Sequence, residues 1–532
     1  MHRRDFMKSA VAVTASAALP AKWAFAASPS GDLRILSEGA PNSFDSFSVG
    51  VNKDSLQITW NVYDRLVTFG SKKGDDGIYY YDYFDIQPEL AESYQVADDK
   101  KSITFHLRKD AVFHDGSPVT AEDVKWSLDR LVASPVGKAQ FSTGSMTSPE
   151  QFVVVDEHTV RVDLPQPDRF ALPNFALTYP IIVNSKLAKK HATADDPFAS
   201  KWLVANPAGG GPYKVDSFSM GERVLFSRFD DWKCGPLPSF KRVLWQTVPA
   251  AGSRIASLVR GDADIVEDLP PKDAVALEKK GTVKVLSVPM TNVFDFIGMN
   301  SKMAPFDNVK VRQAVAYALP YEDMFSAALF KRGRPLFGGK PGAPDTTEFP
   351  QPLGYSTDPE KAKALLKEAG LENGFSTTFS FDLSRATVAE PISILVQEAL
   401  AKVGIKVEIN KVPGGQLGTL LQDKKVPFYF EGSAAYLRDP DYFFRIFYYG
   451  PTRWNFGSYD NPEFNDLVKK TRYETDKAAY DADVKRMITL VKEDVPIILL
   501  WEPALNLGMQ KDIEGYTFYF HRELDFRPLK RS

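Results

Sequence analysis

Alternating hydrophobic and polar residues predict that the first half of the chain is rich in strands. Residues 102–108 alternate apolar and polar side chains, as a half-buried strand does. Two further strand-like runs, 152–155 and 159–164, flank Asp-Glu-His at 156–158 and predict a hairpin. Thr120-Ala-Glu-Asp is a capping sequence, and it predicts a helix with its apolar residues on one face.

The second half alternates helical and strand patterns. A helix is predicted to begin at Asp358, with proline at its first position, and to end at Gly370. A strand pattern follows at 378–381, then a helix at 391–403 and a cleanly alternating strand at 405–409. This succession favours a sheet flanked by helices.

The two patterns together predict an α/β protein of two lobes, a large bipartite β-rich lobe and a smaller α/β lobe. We expect lobe I to span 27–292, including a β-rich subdomain at roughly 70–200, and lobe II to span 293–494. Residues 495–532 begin with a buried-strand pattern and are predicted to return to lobe I. Two crossings between lobes make a hinge above a cleft that can close around a ligand.

The N-terminus, residues 1–26, has the pattern of an export signal. A charged start with Arg3-Arg4 precedes an Ala-rich apolar run and an Ala-Phe-Ala cleavage site. The run is shorter than the roughly 20 residues that cross a bilayer. Paired arginines indicate the twin-arginine type, so we expect a mature protein in the periplasm. An amphipathic N-terminal helix is the alternative.

Composition limits the metal sites and binding partners that the protein can have. The single cysteine, Cys234, permits neither an internal disulfide nor a Cys-rich metal site, so the 44% apolar residues must supply a core. The formal charge is −3, and the first 26 residues hold four basic residues and one acidic, so the mature chain is more acidic still. That balance disfavours nucleic acid and anionic membranes. We expect a monomer.

Motifs of catalysis are absent from the sequence. There is no G-x-S-x-G, H-E-x-x-H, P-loop or G-x-G-x-x-G after a strand. The histidines after the signal are scattered without metal-ligand spacing, and the glycine run 209–211 is interpreted as a tight turn that enters a strand. We therefore expect no catalytic residue, no metal and no cofactor.

Eight segments, in order, resemble the family 5 extracellular solute-binding proteins, which are the dipeptide-, oligopeptide- and nickel-binding periplasmic components of ABC importers. The most characteristic stretch is Phe-His-Asp-Gly-Ser-Pro-Val-Thr-Ala-Glu-Asp-Val at 113–124, after Phe-His-Leu-Arg at 105–108. The other segments are 61–67, 88–94 (Pro-Glu-Leu-Ala-Glu-Ser-Tyr), 206–213 (Asn-Pro-Ala-Gly-Gly-Gly-Pro-Tyr), 261–265, 311–318, 355–370 and 438–443. The resemblance implies a protein that delivers a ligand to a membrane permease and does no chemistry.

The candidate ligand site lies in residues 431–456, which combine three arginines with many aromatic residues. Arginine can form two parallel hydrogen bonds to a carboxylate while aromatic rings stack on flat or apolar groups. The alternative is a buried helix whose arginines reach solvent. The predicted ligand-binding residues are Tyr436, Arg438, Arg453, Trp454 and Asn455, with Asn292, Phe294 and the early loop at Phe47 as further candidates.

The ligand class follows from one departure from the family pattern. In peptide-binding relatives, the aspartate three positions before Asp-Pro-Asp resembles a clamp for the free amine of the ligand. Tyr436 occupies that position here. We therefore expect a small organic solute, peptide-like and possibly with an acidic group, and three arginines disfavour nickel. An exported hydrolase on the same scaffold and a periplasmic chaperone for unfolded peptides are the alternatives.

Overall fold

The structure is a computed structural model that describes residues 31–219, 221–339, 344–413, 415–450, 452–519 and 523–532. The predicted signal peptide at 1–26 lies outside the described residues. No helix within these ranges is long and apolar enough to cross a membrane.

The described residues contain 21 strands, many of them short. They are β1 (Asp32–Ser37), β2 (Val67–Lys73), β3 (Tyr79–Pro88), β4 (Ala91–Val96), β5 (Ser102–Leu107), β6 (Phe152–Asp156), β7 (Thr159–Asp163), β8 (Tyr213–Ser219), β9 (Arg223–Arg228), β10 (Arg242–Thr247), β11 (Ile265–Val266), β12 (Lys284–Pro289), β13 (Val293–Met299), β14 (Gly333–Pro335), β15 (Phe375–Asp382), β16 (Ile405–Val412), β17 (Phe428–Ala434), β18 (Ile497–Met509), β19 (Ile513–Glu514), β20 (Thr517–Phe518) and β21 (Lys530–Arg531).

Sixteen α-helices accompany these strands in the described part of the chain. They are α1 (Lys53–Val62), α2 (Ala121–Ala133), α3 (Pro135–Phe141), α4 (Ala171–Asn174), α5 (Ser185–Lys189), α6 (Ser200–Leu203), α7 (Ala251–Arg260), α8 (Pro271–Lys280), α9 (Val309–Ala318), α10 (Tyr321–Leu329), α11 (Pro359–Glu368), α12 (Ala386–Ala401), α13 (Gln416–Gln422), α14 (Pro440–Phe447), α15 (Pro462–Thr471) and α16 (Lys477–Asp494).

One twelve-stranded sheet runs through the molecule, in the order β16-β15-β17-β13-β18-β11-β1-β10-β9-β8, with β12 and β14 also paired to β18. Strand β18 is the crossing point of this sheet. Its first half pairs with β13, ending at Trp501 opposite Asp295, and its second half pairs with β12 from Ala504 onward. We therefore define lobe I as residues 31–292 and 504–532, and lobe II as residues 293–503.

A hydrogen bond holds the two crossings together. The Met290 amide donates to the Pro503 carbonyl at 3.0 Å, just where β12 gives way to β13 and where β18 changes partners. Both connections between the lobes thus pass through one short, extended region. Such an arrangement permits the lobes to rotate relative to each other by small backbone changes at a few residues.

The remaining sheets belong to the β-rich part of lobe I. Strands β2, β3 and β20 form one sheet, β4, β5, β7 and β6 form another, and β19 and β21 form a short two-stranded sheet. The predicted hairpin is confirmed as β6 and β7. The predicted helix after Thr120 is confirmed as α2, whose first turn is capped by Asp123 because its carboxylate accepts from the Thr120 amide at 3.0 Å.

The second half follows the predicted order, with several boundaries shifted by a few residues. Helix α11 begins at Pro359 as predicted, and Gly370 beyond its end has a φ of +73°. Helix α12 begins at Ala386, whereas the prediction started it at Pro391. Pro391 lies inside this helix, where it lacks the N–H for one backbone hydrogen bond but does not end the helix.

The glycine run before β8 serves close packing. A Cβ on Gly211 would lie 2.6 Å from the carbonyl carbon of Val62, and one on Gly209 would overlap the Val62 carbonyl oxygen. The backbone of 209–211 therefore lies directly against the end of α1. This contact agrees with the interpretation of the run as a tight turn into a strand.

A buried carboxyl in lobe I gives the fold a predictable pH dependence. Glu267 is fully buried and accepts a hydrogen bond from Gln57 Nε2 at 2.9 Å. Burial raises its pKa to about 7 from an ordinary 4.5, with the nearby negative charge of Asp268 adding to the shift and Lys53 opposing it. The folded state therefore holds a proton that the unfolded chain releases between pH 4.5 and 7, so stability falls as the pH rises through that window.

We expect Glu267→Gln to remove this loss. Because the amide cannot ionise, the variant should gain free energy of unfolding over wild type as pH rises from 5 to 8, by up to about 3 kcal/mol. Denaturant unfolding at pH 5 and pH 8 measures the difference, with the exposed Glu372→Gln as the matched control. An equal gain at both pH values would contradict the assignment.

Candidate ligand-binding cleft

The edge of the lobe II sheet that faces lobe I carries the ends of several strands. Strands β15 and β17 are parallel, so both end at this edge, and the antiparallel β13 begins there. The loop that follows β15 places Arg385 beside β17, where it contacts Glu431, and the loop that follows β17 carries Tyr436. In α/β sheets ligands bind outside the carboxyl ends of the strands, which makes this edge the first place to look for a site.

Tyr436 meets lobe I at this edge. The hydroxyl of Tyr179 donates a hydrogen bond to the hydroxyl of Tyr436, and the ring centroids are 5.1 Å apart. Burial raises the pKa of Tyr436, so its hydroxyl stays neutral and remains able to donate. The structure thus places a predicted ligand residue in direct contact with the opposite lobe.

The early loop that contains Phe47 contacts the backbone of Tyr179. Ser46 Oγ donates to the Tyr179 carbonyl at 3.0 Å. The guanidinium of Arg130 lies 4.4 Å from the Phe47 ring centroid and pairs with the buried Asp45. Phe47 is itself buried, so it fixes the loop that positions Tyr179.

Further contacts show that the two lobes are closed on each other. Arg169 of lobe I donates to the Glu474 carbonyl at 2.6 Å, and its guanidinium lies 3.6 Å from the Tyr480 ring centroid. Arg472 of lobe II donates to the Ser142 carbonyl at 3.0 Å. The sheet edge and its tyrosine contact are therefore enclosed between the lobes.

A buried carboxylate acts on the same contact. Glu523, in the returning C-terminal segment of lobe I, is almost completely buried. Its negative charge adds to the burial that raises the pKa values of Tyr179 and Tyr436. The carboxylate is thus within electrostatic reach of both tyrosines, and it introduces a negative charge at a cleft where Tyr436 replaces the expected aspartate.

Asn292 lies at the hinge, next to the same segment. Its side-chain amide donates to the Ala435 carbonyl at 3.0 Å, and the Ala435 amide donates to the Asn292 carbonyl at 2.8 Å. Asn292 Oδ1 is buried without a hydrogen-bond partner among the described residues. Asn292 therefore holds Ala435, the residue before Tyr436, and its Oδ1 is a hydrogen-bond acceptor in the cleft.

Arg385 is the residue at this edge that the sequence analysis did not select. It donates to Asp295 Oδ1 at 2.7 Å and to Glu431 Oε1 at 3.3 Å, while Trp501 Nε1 donates to the other oxygen of Asp295 at 2.9 Å. The Arg385 side chain is 29% exposed, so it is not fully withdrawn from solvent. The sequence offers one clue to its position, because Arg385 lies shortly after the end of a predicted strand.

Arg438 lies two residues beyond Tyr436, and its side chain is partly exposed. It donates to Glu348 Oε1 at 3.1 Å. Close by, Arg334 donates to both oxygens of Glu502, at 2.7 and 2.8 Å, and Glu502 lies on the hinge strand β18. Its carboxyl is buried, and this burial raises the pKa of Glu502. The two arginines are therefore already paired with carboxylates at the hinge side of lobe II.

The remaining predicted residues lie elsewhere. Arg453 and Trp454 are on the surface near Lys424, which donates to the Arg453 carbonyl at 3.3 Å and precedes the start of β17. The length of β17 separates them from Tyr436 by roughly 20 Å. Asn455 is buried and binds the backbone of Tyr459, so it shapes this loop. Phe294 is buried against Phe443 and Phe447 in the lobe II core.

Metal binding has no evident place in this cleft. Among the described residues, no group of three or more His, Cys, Asp or Glu side chains is arranged to hold a metal ion. The chemistry available at the edge is hydrogen bonding by tyrosine, asparagine and arginine, together with carboxylates. That set suits a polar organic solute.

Comparison with known proteins places the fold in a class. The probable D,D-dipeptide-binding periplasmic protein DdpA of Escherichia coli (strain K12) is 28% identical over 501 residues, covering 93% of each chain. The dipeptide-binding protein of the same organism is 27% identical and covers 96% of this chain and 94% of the relative. The structure of the PBP AgaA in complex with agropinic acid, from A. tumefaciens R10, superposes with a TM-score of 0.72 at 29% identity, covering 94% of this chain and 99% of that one.

The closed lobes, the hinge strand and these likenesses define a two-lobed α/β solute-binding protein, as predicted. The family model of bacterial extracellular solute-binding proteins, family 5 Middle, matches residues 85–455. The chain therefore belongs to the family 5 extracellular solute-binding proteins, and the resemblance seen in the sequence is confirmed.

Proposed function

We propose that this protein captures a small peptide-like solute in the periplasm and delivers it to the permease of an ABC importer. The observation that carries the proposal is the enclosed edge of the lobe II sheet, where Tyr436 touches Tyr179 across the cleft. A ligand held there contacts both lobes. It therefore favours the closed state, which a permease can distinguish from the open one.

The charges around this edge favour a solute that carries both an amine and a carboxylate. Arg385 has a part-exposed side chain, and an arginine guanidinium can bind a carboxylate with two parallel hydrogen bonds. Glu523 offers a negative charge within electrostatic reach of Tyr436, and such a charge can pair with an amine. A dipeptide has both groups, and two relatives are named for binding dipeptides.

The revised site differs from the sequence prediction in its members. We propose Tyr436, Arg385, Asn292 and Glu523 as ligand contacts, with Phe47 supporting Tyr179 and Arg438 two residues beyond Tyr436. Arg453, Trp454 and Asn455 lie too far from this edge to take part in the same site.

Export and the absence of catalysis belong to the same proposal. Residues 1–26 are proposed as a twin-arginine signal, which would deliver a folded protein to the periplasm. The relatives and the family are binding proteins, and the cleft residues described above are held by hydrogen bonds and ion pairs rather than arranged as a nucleophile with its base. We propose that the protein binds its solute unchanged and acts as a monomer.

Isothermal titration with matched ligands tests the proposal. We expect a free dipeptide to bind, and its N-acetylated and C-amidated forms each to bind about ten- to a hundred-fold more weakly, because each loses one charge-assisted bond. Denatured protein serves as a competing ligand. Preference for denatured chains over every dipeptide would identify a chaperone instead, and turnover of a dipeptide detected by mass spectrometry would identify a hydrolase.

A further inference from the structure

A second cavity lies between the lobes, to one side of the ligand-binding cleft. Its volume is about 800 Å³, within the range of small-molecule sites. Lobe I contributes Tyr83, Phe84 and Leu172 to its walls, and lobe II contributes Tyr473 and Tyr480. Tyr179 and Tyr436 are not among the described residues that line it, so it is separate from the cleft described above.

Contacts between the lobes form part of this cavity's walls. Arg169 lines it from lobe I and binds the Glu474 carbonyl and the Tyr480 ring of lobe II. Arg472 lines it from lobe II and binds the Ser142 carbonyl of lobe I. Because both lobes supply walls and the contacts between them, the cavity exists only while the lobes are closed.

A bulge in strand β3 exposes Phe84 to this cavity. Phe69 pairs with Ile86 while the next residue, Gly70, pairs with Asp82, so residues 83–85 bulge from the strand. Phe84 is 79% exposed, and its ring lies 5.1 Å from that of the buried Tyr83. A bulge re-aims side chains and is frequent beside functional sites, so an exposed phenylalanine at its tip indicates a contact surface.

Lobe II presents a second aromatic ring to the same cavity. Tyr473 is 38% exposed, and the guanidinium of Arg472 lies 5.1 Å from its ring centroid. The prolines at 167, 173 and 440 add rigid apolar surface to the lining. Four basic and five acidic side chains also line the cavity, so their charges nearly cancel. The lining therefore favours an uncharged aromatic molecule.

We propose that this cavity is a second ligand-binding site, which takes a compact neutral aromatic molecule between Phe84 and Tyr473. A macromolecular partner fits poorly, because a stable protein interface buries about 800 Å² per partner over a broad surface, whereas this is a hollow bounded by two lobes. The proposal does not depend on which solute the cleft takes.

Occupancy of this site is coupled to closure. A molecule that contacts both walls binds the closed state better than the open one and shifts the population toward it. By thermodynamic linkage, the cleft solute and the aromatic molecule each raise the affinity for the other by the same factor. The second site is thus a place where a small molecule regulates capture of the solute.

Fluorescence titration with N-phenyl-1-naphthylamine, a neutral aromatic dye that brightens in apolar surroundings, tests the proposal. We expect saturable binding to the full mature protein, with affinity lowered about ten-fold in Phe84→Ala and in Tyr473→Ala, because each removes one aromatic wall. Trp454→Ala removes an aromatic residue outside the cavity, with an exposure similar to that of Tyr473, and should leave the affinity unchanged.

The controls separate this site from the cleft. Phe84 and Tyr473 are exposed, so both variants should keep the melting temperature and the dipeptide affinity of wild type. Absence of saturable dye binding, unchanged affinity in both cavity variants, or an equal loss in Trp454→Ala would overturn the second site. None of these outcomes bears on solute binding in the cleft.

Discussion

Replacing Arg385 with alanine is expected to weaken solute binding by about a hundred-fold. A charge-assisted hydrogen bond contributes roughly 1.5–3 kcal/mol, and a paired contact to a carboxylate would lose the upper part of that range. Alanine also leaves Asp295 buried with Trp501 as its remaining side-chain partner, so a lower melting temperature is expected as well.

Arg385→Lys separates these two effects. Lysine keeps a positive charge near Asp295, so stability should largely return, but it cannot form two parallel bonds, so binding should stay weak. The matched control is Arg453→Ala, because Arg453 lies at the far edge of lobe II and should retain wild-type affinity. Isothermal titration and thermal unfolding measure both quantities. Full affinity in Arg385→Ala, or an equal loss in Arg453→Ala, would place the site elsewhere.

Glu523→Gln is expected to weaken binding of a free dipeptide by about ten- to a hundred-fold. The glutamine keeps the shape of the side chain and removes its charge, so the loss reports the ion pair with the ligand amine. An N-acetylated dipeptide has no charged amine and should bind wild type and variant equally. Titration of both ligands against Glu523→Gln measures the difference.

The control for this pair is Glu514→Gln, in the same C-terminal region. Glu514 is about half exposed, and its Oε2 lies 3.8 Å from Nζ of Lys530. Its replacement should therefore change the affinity for neither the free nor the acetylated dipeptide. Equal losses for the free and the acetylated dipeptide would mean that Glu523 supports the fold of the cleft rather than contacting the amine. No loss for either ligand would remove Glu523 from the site.

Local sequence patterns predicted the helices and strands better than they predicted which residues form the candidate site. The hairpin of β6 and β7 and the capped helix α2 depend on neighbouring residues, so their sequences suffice to predict them. Tyr436 could be selected because a family motif fixes its place relative to Asp-Pro-Asp. Its contact with Tyr179 joins residues 257 positions apart, which no local pattern reveals.

Three of the predicted ligand residues lie away from this edge of the sheet. Arg453 and Trp454 belong to the arginine- and aromatic-rich stretch 431–456, but α14 and the following loop carry them to the other end of β17. Phe294 alternates correctly as a strand residue, yet alternation does not tell which face meets a ligand and which meets α14. Arg385 lies beside β17 because of the order of strands in the sheet, and its position after a predicted strand does not by itself reveal that neighbour.

Small-angle X-ray scattering of the mature protein, with and without saturating amounts of the tightest-binding dipeptide, tests the central claim most directly. The account predicts that the radius of gyration falls on addition of the dipeptide, because the ligand contacts both lobes and favours the closed arrangement held by Tyr179, Tyr436 and Arg169. Tyr179→Ala, which removes one of these contacts, should show a smaller fall at the same saturation. A scattering profile that does not change at saturating dipeptide, with the free protein fitting the open arrangement, would contradict capture between the lobes.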